Sequence, residues 1–141
     1  MHSISRAAAA FALLAAVVLL TTVHGRASGT QISFTAAQVS AGYKTFEQVC
    51  STCHGTNLEG GAGPALTGPN WKTLSVKIKA KVTDVFTLIT TEMPLNAPAT
   101  LSHTEYVNIM AFILSKNGYK PGATPLTFAA ASSSQAAILK E

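Results

Sequence analysis

The sequence Cys50-Ser51-Thr52-Cys53-His54 contains the only two cysteines of this 141-residue chain, and a histidine follows the second one directly. Two cysteines are too few for a mini-protein held by several disulfides, and too few for a zinc site of four thiolates. A thioredoxin-type pair would stand beside a strand–helix–strand pattern, which the sequence lacks. A disulfide within the motif would close a very small loop and stabilise little.

A cysteine pair with an adjacent histidine is the attachment signature of c-type haem. Thiols three residues apart at the end of a helix can reach two vinyl groups on one porphyrin edge, and His54 then presents a ring nitrogen to the iron. A zinc site is the alternative, since His103 would supply a fourth ligand beside Cys50, Cys53 and His54, but its distance along the chain fits no common zinc spacing. The sequence therefore predicts one covalently bound haem c per chain.

Residues 1–27 have the pattern of a secretory signal peptide. Arg6 supplies a positive start, an unbroken apolar run extends from Ala7 to Leu20, and small residues follow. The run is shorter than the roughly 20 apolar residues of a membrane-spanning helix, although an uncleaved N-terminal anchor is the alternative. We therefore expect export to the periplasm and no stable membrane anchor.

The remaining chain divides into a linker (residues 28–35), a domain (residues 36–120) and an Ala/Ser-rich tail (residues 121–141). Outside residues 1–27 there are eight basic and six acidic residues. This balance is too weakly basic for a nucleic-acid-binding protein. The sequence leaves open whether the tail folds onto the domain.

Three principal helices are predicted, joined by long loops. The first runs from Ala36 to the first cysteine, the second from Asp84 to about Thr91 with Thr83 as its cap, and the third from His103 to Asn117-Gly118. Capping boxes mark the starts of the first and third helices, with Thr35 and Gln38 at one and Ser102 and Glu105 at the other. Residues 57–70 and 75–82 are predicted as loops.

This pattern predicts an all-α fold with a thin side-chain core. Small domains of this kind usually need a staple, a metal or a cofactor. A covalently held haem would fill the middle of the domain.

Met93 is the predicted sixth ligand of the iron. It stands between a helix and Pro94, which stops the helix and lets the thioether project into the pocket. Met110 lies on the apolar face of the third helix, where core packing is expected, and His103 is the rival ligand at that helix's start. Ligation by His54 and Met93 raises the reduction potential. It also closes the iron to exogenous ligands, so we expect a one-electron carrier and no enzyme.

Two alternatives stay open. One is a haem enzyme or small-gas sensor with an open sixth coordination site, in which Met93 does not bind the iron. The other is a fixed subunit of a dehydrogenase complex that never diffuses alone.

Over residues 36–119 the sequence resembles a class I cytochrome c. Gly42 and Phe46 stand eight and four residues before Cys50, Phe112 lies in the last helix, and the segment Gly63-Pro64-Ala65-Leu66 follows the cysteine motif. The resemblance implies the small cytochrome c fold, in which the helix containing Gly42 and Phe46 packs against the helix containing Phe112.

The resemblance also implies roles for three residues near the haem. The carbonyl of Pro64 would accept a hydrogen bond from the ring of His54, and Leu66 would pack on the porphyrin. Trp71 would donate a hydrogen bond to a haem propionate, and a simple core position is the alternative for this residue.

A narrower similarity, to the haem subunits of bacterial quinoprotein (PQQ) dehydrogenases, rests on short matches: Met93-Pro94, Leu101-Ser102, Glu105-Tyr106 and Asn117-Gly118-Tyr119. It implies such a dehydrogenase as electron donor, with a terminal oxidase or another cytochrome as acceptor. A group of lysines between the first loop and the second helix is either a docking patch for an acidic partner or a solvated basic face; it comprises Lys72, Lys77, Lys79 and Lys81.

Overall fold

The computed structural model describes residues 31–140, so the predicted signal peptide lies outside the described residues. The regular secondary structure of this segment consists of helices, apart from a single β-bridge between Lys81 and Ala137, and loops join them. Its helices are α1 (Ala36–Val49), α2 (Ser51–His54), α3 (Gly68–Lys77), α4 (Val82–Glu92), α5 (His103–Lys116) and α6 (Phe128–Ser133). The prediction of an all-α fold is confirmed. In this segment, no helix has the length and apolar character needed to cross a bilayer.

Both predicted capping boxes are present. The Thr35 hydroxyl accepts a hydrogen bond from the Gln38 amide at 3.2 Å, and the Gln38 side chain accepts one from the Thr35 amide at 3.1 Å. Ser102 and Glu105 form the same pair at the start of α5. The hydrogen bonds from Ser102 lower the pKa of the Glu105 carboxyl. Each box satisfies amides that the first helical turn leaves without partners, which explains why these helices start where the sequence predicts.

The fold is organised by the crossing of α1 and α5. Gly42 is buried in this crossing, and a Cβ at this position would overlap the carbonyl oxygen of Asn108 in α5. One turn along α1, the ring of Phe46 lies 5.4 Å from the ring of Phe112, and Tyr43 packs on the same ring at 5.4 Å. The predicted packing of α1 on α5 is confirmed, and the missing side chain at Gly42 lets the two backbones meet.

The helix α3 was not predicted, and it corrects the extended loop expected over residues 75–82. Alternating apolar and polar residues in this region resemble a strand pattern. In the structure Trp71 and Ser75, one helical turn apart, form the buried side of α3, and Pro69 lies in the first turn, where proline is tolerated. Burial of this helix face against the rest of the protein therefore determines the secondary structure here, and the strand-like alternation of the sequence does not.

The start of α4 also differs from the prediction. The helix begins at Val82 with Lys81 as its N-cap residue, and the Asp84 carboxylate accepts a hydrogen bond from the Lys81 amide at 2.9 Å. Thr83 is therefore no cap. Its hydroxyl donates instead to the carbonyl of Ser132 at 2.7 Å, a contact between distant parts of the chain that local sequence cannot reveal.

The segment after Pro121 packs onto the helices. Leu126 and Ile138 are buried in the core. The Gln38 side chain donates to the carbonyl of Leu126 and accepts from its amide, at 2.9 and 2.8 Å. The Tyr119 hydroxyl donates to the carbonyl of Ala137 at 2.6 Å. The sequence left open whether this tail folds onto the domain, and in the structure residues 121–140 pack against the helices.

Replacing Gly42 with alanine tests the helix crossing. In an open helix this change stabilises by about 1 kcal/mol, but here the new methyl group meets the backbone of α5. We expect the free energy of unfolding to fall by roughly 1–3 kcal/mol, the usual cost of overpacking. Denaturant titration measures it, with the exposed Ser40→Ala in the same helix as the control. Greater stability of Gly42→Ala would contradict the close approach.

Candidate haem site

The cysteine motif lies where α1 passes into α2. Cys50 caps α1 by donating its amide to the carbonyl of Phe46 at 2.8 Å, and the amide of His54 donates to the carbonyl of Cys50 at 3.0 Å. This tight turn places Cys50, Cys53 and His54 at the end of α1. Cys50 is half-buried, Cys53 is exposed, and both thiols are free.

The surroundings of Cys50 do not favour a thiolate. Burial, and to a smaller extent the neighbouring Cys53, raise the pKa of the Cys50 thiol to about 11. Redox-active dithiols need the opposite shift, because the thiolate is the nucleophile. Cys50 therefore lacks the lowered pKa that is typical of a redox-active thiol.

The ring of His54 is oriented by a single hydrogen bond. Its Nδ1 lies 2.8 Å from the carbonyl oxygen of Pro64, the contact that the resemblance implied. A carbonyl oxygen can only accept, so Nδ1 carries the proton, and in the neutral imidazole Nε2 keeps its lone pair. Such a bond is the usual means of fixing the tautomer and direction of a metal-binding histidine. The lone pair of Nε2 is thus available to a metal ion.

The loop that supplies Pro64 is anchored to the motif itself. The amide of Gly60 donates to the carbonyl of His54 at 2.7 Å, and the amide of Gly63 donates to that of Cys53 at 2.8 Å. Gly63 passes so close to the imidazole that a Cβ there would lie 2.9 Å from Cε1 of His54. A residue without a side chain is therefore required for the loop to reach the ring.

Met93 directly follows α4, and its segment is held by α5. Its half-buried side chain packs against the core cluster. The hydroxyl of Tyr106, a buried residue of α5, donates to the carbonyl of Met93 at 2.7 Å and lies 3.4 Å from the amide of Leu101. The sequence indicated Tyr106 through the short match Glu105-Tyr106 and assigned it no role near Met93. Its hydroxyl could have indicated such a contact, because a buried tyrosine usually has a hydrogen-bond partner.

Leu66 is held by the other end of α5. The side-chain amide of Asn117 donates to the carbonyl of Leu66 at 2.9 Å and to that of Ile113 at 2.8 Å. Leu66 is half-buried against the core. The sequence predicted Asn117 as a helix end and missed this bond to the loop.

Trp71 shows how these residues fit a haem. Its side chain is 9% exposed, and its indole N–H is buried without a hydrogen-bond partner. An unpaired buried donor costs free energy, and a haem propionate is an acceptor of the kind it lacks. The core cluster is also edged by half-buried apolar side chains suited to an apolar macrocycle; they include Cys50, Leu66, Val85, Met93 and Leu101.

The two rival ligands lie elsewhere. Met110 is fully buried in α5, so its predicted core role is confirmed. His103 occupies the first position of α5, is exposed, and stacks on Phe128 with ring centroids 3.8 Å apart. Within residues 31–140 no three His, Cys, Asp or Glu side chains are grouped as they would need to be to hold a metal ion, which disfavours the zinc alternative.

Comparison with known families gives one match. A family model described as cytochrome c oxidase, cbb3-type, subunit III, matches residues 37–113, more than half of the chain. The chain belongs to this family. It is therefore a class I c-type cytochrome, and membership implies haem c binding and electron transfer with redox proteins as partners. No curated protein and no solved structure gives a significant match.

Replacing Gly63 with alanine tests how the loop positions the imidazole. The methyl group would press on the His54 ring and lengthen its bond to Pro64. We expect a loss of roughly 1–3 kcal/mol in the free energy of unfolding of this cytochrome, with faster exchange of the His54 ring N–H measured by NMR on the reduced protein.

The matched control is Gly122→Ala, whose nearest neighbour is the hydroxyl of Ser33. It should change the stability less and leave the ring proton unaffected. If the two variants showed the same loss of stability and the same exchange rate of the His54 ring N–H, Gly63 would not position the imidazole.

Proposed function

We propose that this cytochrome is a periplasmic carrier of single electrons, with one haem attached through Cys50 and Cys53 and its iron bound by His54 and Met93. The observation that supports it most directly is the 2.8 Å contact between Nδ1 of His54 and the carbonyl of Pro64. This contact leaves Nε2 as the free ring nitrogen, one residue beyond the second thiol. Bound haem supplies an iron that alternates between the ferrous and ferric states.

The side chains of the protein then have two tasks. His54 and Met93 must keep the same positions in both oxidation states, because rearrangement of ligands would slow the transfer of an electron. His54 is held by the loop at Pro64, and the Met93 segment is held by Tyr106. The thioether is a soft ligand that favours ferrous iron and therefore raises the reduction potential.

Other residues near the proposed haem would shield the iron and bind the polar edge of the porphyrin. Leu66 would pack on the ring, with Asn117 holding its carbonyl. Trp71 would donate its unpaired indole N–H to a propionate. With His54 and Met93 as ligands of the iron and water excluded, the haem would favour electron transfer over chemistry on a bound substrate.

The redox partners are a further part of this proposal. The short sequence matches around Met93 and Tyr106 support a quinoprotein (PQQ) dehydrogenase as donor. The family description names a subunit of an oxidase, which supports a terminal oxidase or another cytochrome as acceptor. Export to the periplasm rests on the signal-peptide pattern of residues 1–27.

Replacing Met93 with alanine tests the axial ligation. The variant should lose the weak ferric iron–thioether absorption band, bind carbon monoxide when reduced, and show a lower reduction potential. Absorption spectra and a redox titration measure these changes. Met110→Leu, a volume-conserving change in the core, should keep the band.

A wild-type protein that already binds carbon monoxide readily would contradict ligation by Met93. That result would favour the small-gas sensor or haem enzyme with an open coordination site.

The role of Tyr106 can be separated from its contribution to stability. Tyr106→Phe and Tyr119→Phe each remove one buried hydroxyl that donates to a carbonyl, of Met93 and of Ala137 respectively. We expect each to lower the free energy of unfolding by about 1 kcal/mol. Only Tyr106→Phe should weaken the ferric thioether band, because only that hydroxyl holds the Met93 segment. An unchanged band would show that Met93 is positioned without Tyr106.

A further inference from the structure

A basic cleft separates α3 from the C-terminal segment. Its volume is about 710 Å³, and its walls are α3, the end of α5 and residues 135–140. Five lysines line it, namely Lys72, Lys79, Lys81, Lys116 and Lys140, and no aspartate or glutamate among residues 31–140 does so. None of the cysteines, His54 or Met93 borders it, although Asn117, whose side chain holds the carbonyl of Leu66, lines it.

Three of these ammonium groups have neighbours other than carboxylates. Lys116 lies over the ring of Phe112 at 5.6 Å, and Lys140 lies over the ring of Tyr119 at 5.5 Å. Lys81 donates across the cleft to the side-chain carbonyl of Gln135. Like charges brought together in a concave site repel one another and raise the local concentration of anions. The cleft therefore has an excess of positive charge that its own lining does not neutralise.

Ser75 is a second, independent indication that the cleft binds a ligand. It lies about one turn after Lys72 in α3, and both residues line the cleft, as does Lys79 just beyond the end of the helix. The residue is 3% exposed, and its hydroxyl has no hydrogen-bond partner. A buried hydroxyl without a partner costs free energy. A ligand with acceptor oxygens would satisfy this hydroxyl and the ammonium groups together.

The N-terminus of α3 faces the same cleft. Thr67 and Gly68 line it, and the Thr67 hydroxyl donates to the carbonyl of Lys116 at 3.3 Å rather than to an amide of α3. The first turn of α3 therefore lacks a side-chain cap. Uncapped amides at a helix start favour an anion.

We propose that this cleft binds a small anion carrying two or more phosphate or carboxylate groups. The lysines that line the cleft neutralise it, the Ser75 hydroxyl donates a hydrogen bond to it, and Lys140 brings the C-terminal segment into contact with it. The ligand thus bridges α3 and the segment that the sequence indicated only as a tail. This site does not depend on the proposed axial ligation.

Calorimetric titration of the reduced holoprotein with inorganic pyrophosphate tests the site. Two triple variants carry the same change in net charge. Lys72→Gln/Lys79→Gln/Lys116→Gln removes cleft lysines, and Lys44→Gln/Lys77→Gln/Lys120→Gln removes exposed lysines outside the lining. We expect the cleft variant to weaken binding at least tenfold and the control variant less than threefold. Equal weakening, or no binding of pyrophosphate at millimolar concentration, would overturn the proposal.

Ser75→Ala tests the hydroxyl without a change in net charge. It should weaken pyrophosphate binding about fivefold, yet leave the ligand-free protein as stable as the wild type or more stable, because an unpaired buried group is removed. NMR shifts on titration should centre on Ser75, Gly118 and Ala137. Unchanged affinity in Ser75→Ala, or shifts centred on the cysteine motif, would overturn the site.

A parallel titration with citrate identifies the ligand's chemistry. Tighter binding of pyrophosphate would assign a phosphorylated ligand, and tighter binding of citrate a polycarboxylate. Either result supports the site if the cleft variant no longer distinguishes pyrophosphate from citrate in affinity.

Discussion

The contact of α1 with α5 at Gly42 is the constraint on which the rest of the structure depends. The absence of a side chain there allows the two backbones to touch, and Phe46 and Phe112 pack one turn away. The cysteine motif follows α1 directly, so the crossing determines where the thiols and the imidazole lie relative to α5. Any change in this packing would move one half of the haem site relative to the other.

The helix α5 connects both sides of that site. Near its start, the hydroxyl of Tyr106 holds the carbonyl of Met93, and just past its end, the side chain of Asn117 holds the carbonyl of Leu66. His54 is held separately, through a loop bonded to the carbonyls of its own motif. Each of the two proposed ligands is therefore held by its own hydrogen bonds, His54 through the Pro64 loop and the Met93 segment through α5. This arrangement suits a protein whose ligands should not move when the charge of the iron changes.

The sequence predicted the features that short-range chemistry determines. The capping residues Thr35 and Ser102 are visible from their spacing to Gln38 and Glu105, and the attachment motif is contiguous. Gly42 and Phe112 were indicated by resemblance. Features formed by distant contacts were missed, because nothing local records them.

Three features show what the local sequence does not reveal. The region of Ser75 alternates as a strand would, yet burial of one face with Trp71 makes it helical. The hydroxyl of Thr83 bonds to Ser132 and does not cap its own helix. The Ala/Ser-rich tail contains few large apolar residues, but Leu126 and Ile138 are buried and pack it against the helices. The basic cleft exists only because this tail is packed, so the sequence could not reveal it.

The most direct test of the central claim is extraction of the purified, exported protein with acidified acetone, followed by absorption spectroscopy of both fractions. We predict that the haem spectrum stays with the polypeptide, and that a Cys50→Ala/Cys53→Ala variant releases its haem to the solvent. A colourless wild-type protein, or wild-type haem that passes into the acetone, would contradict covalent attachment and with it the proposed electron carrier.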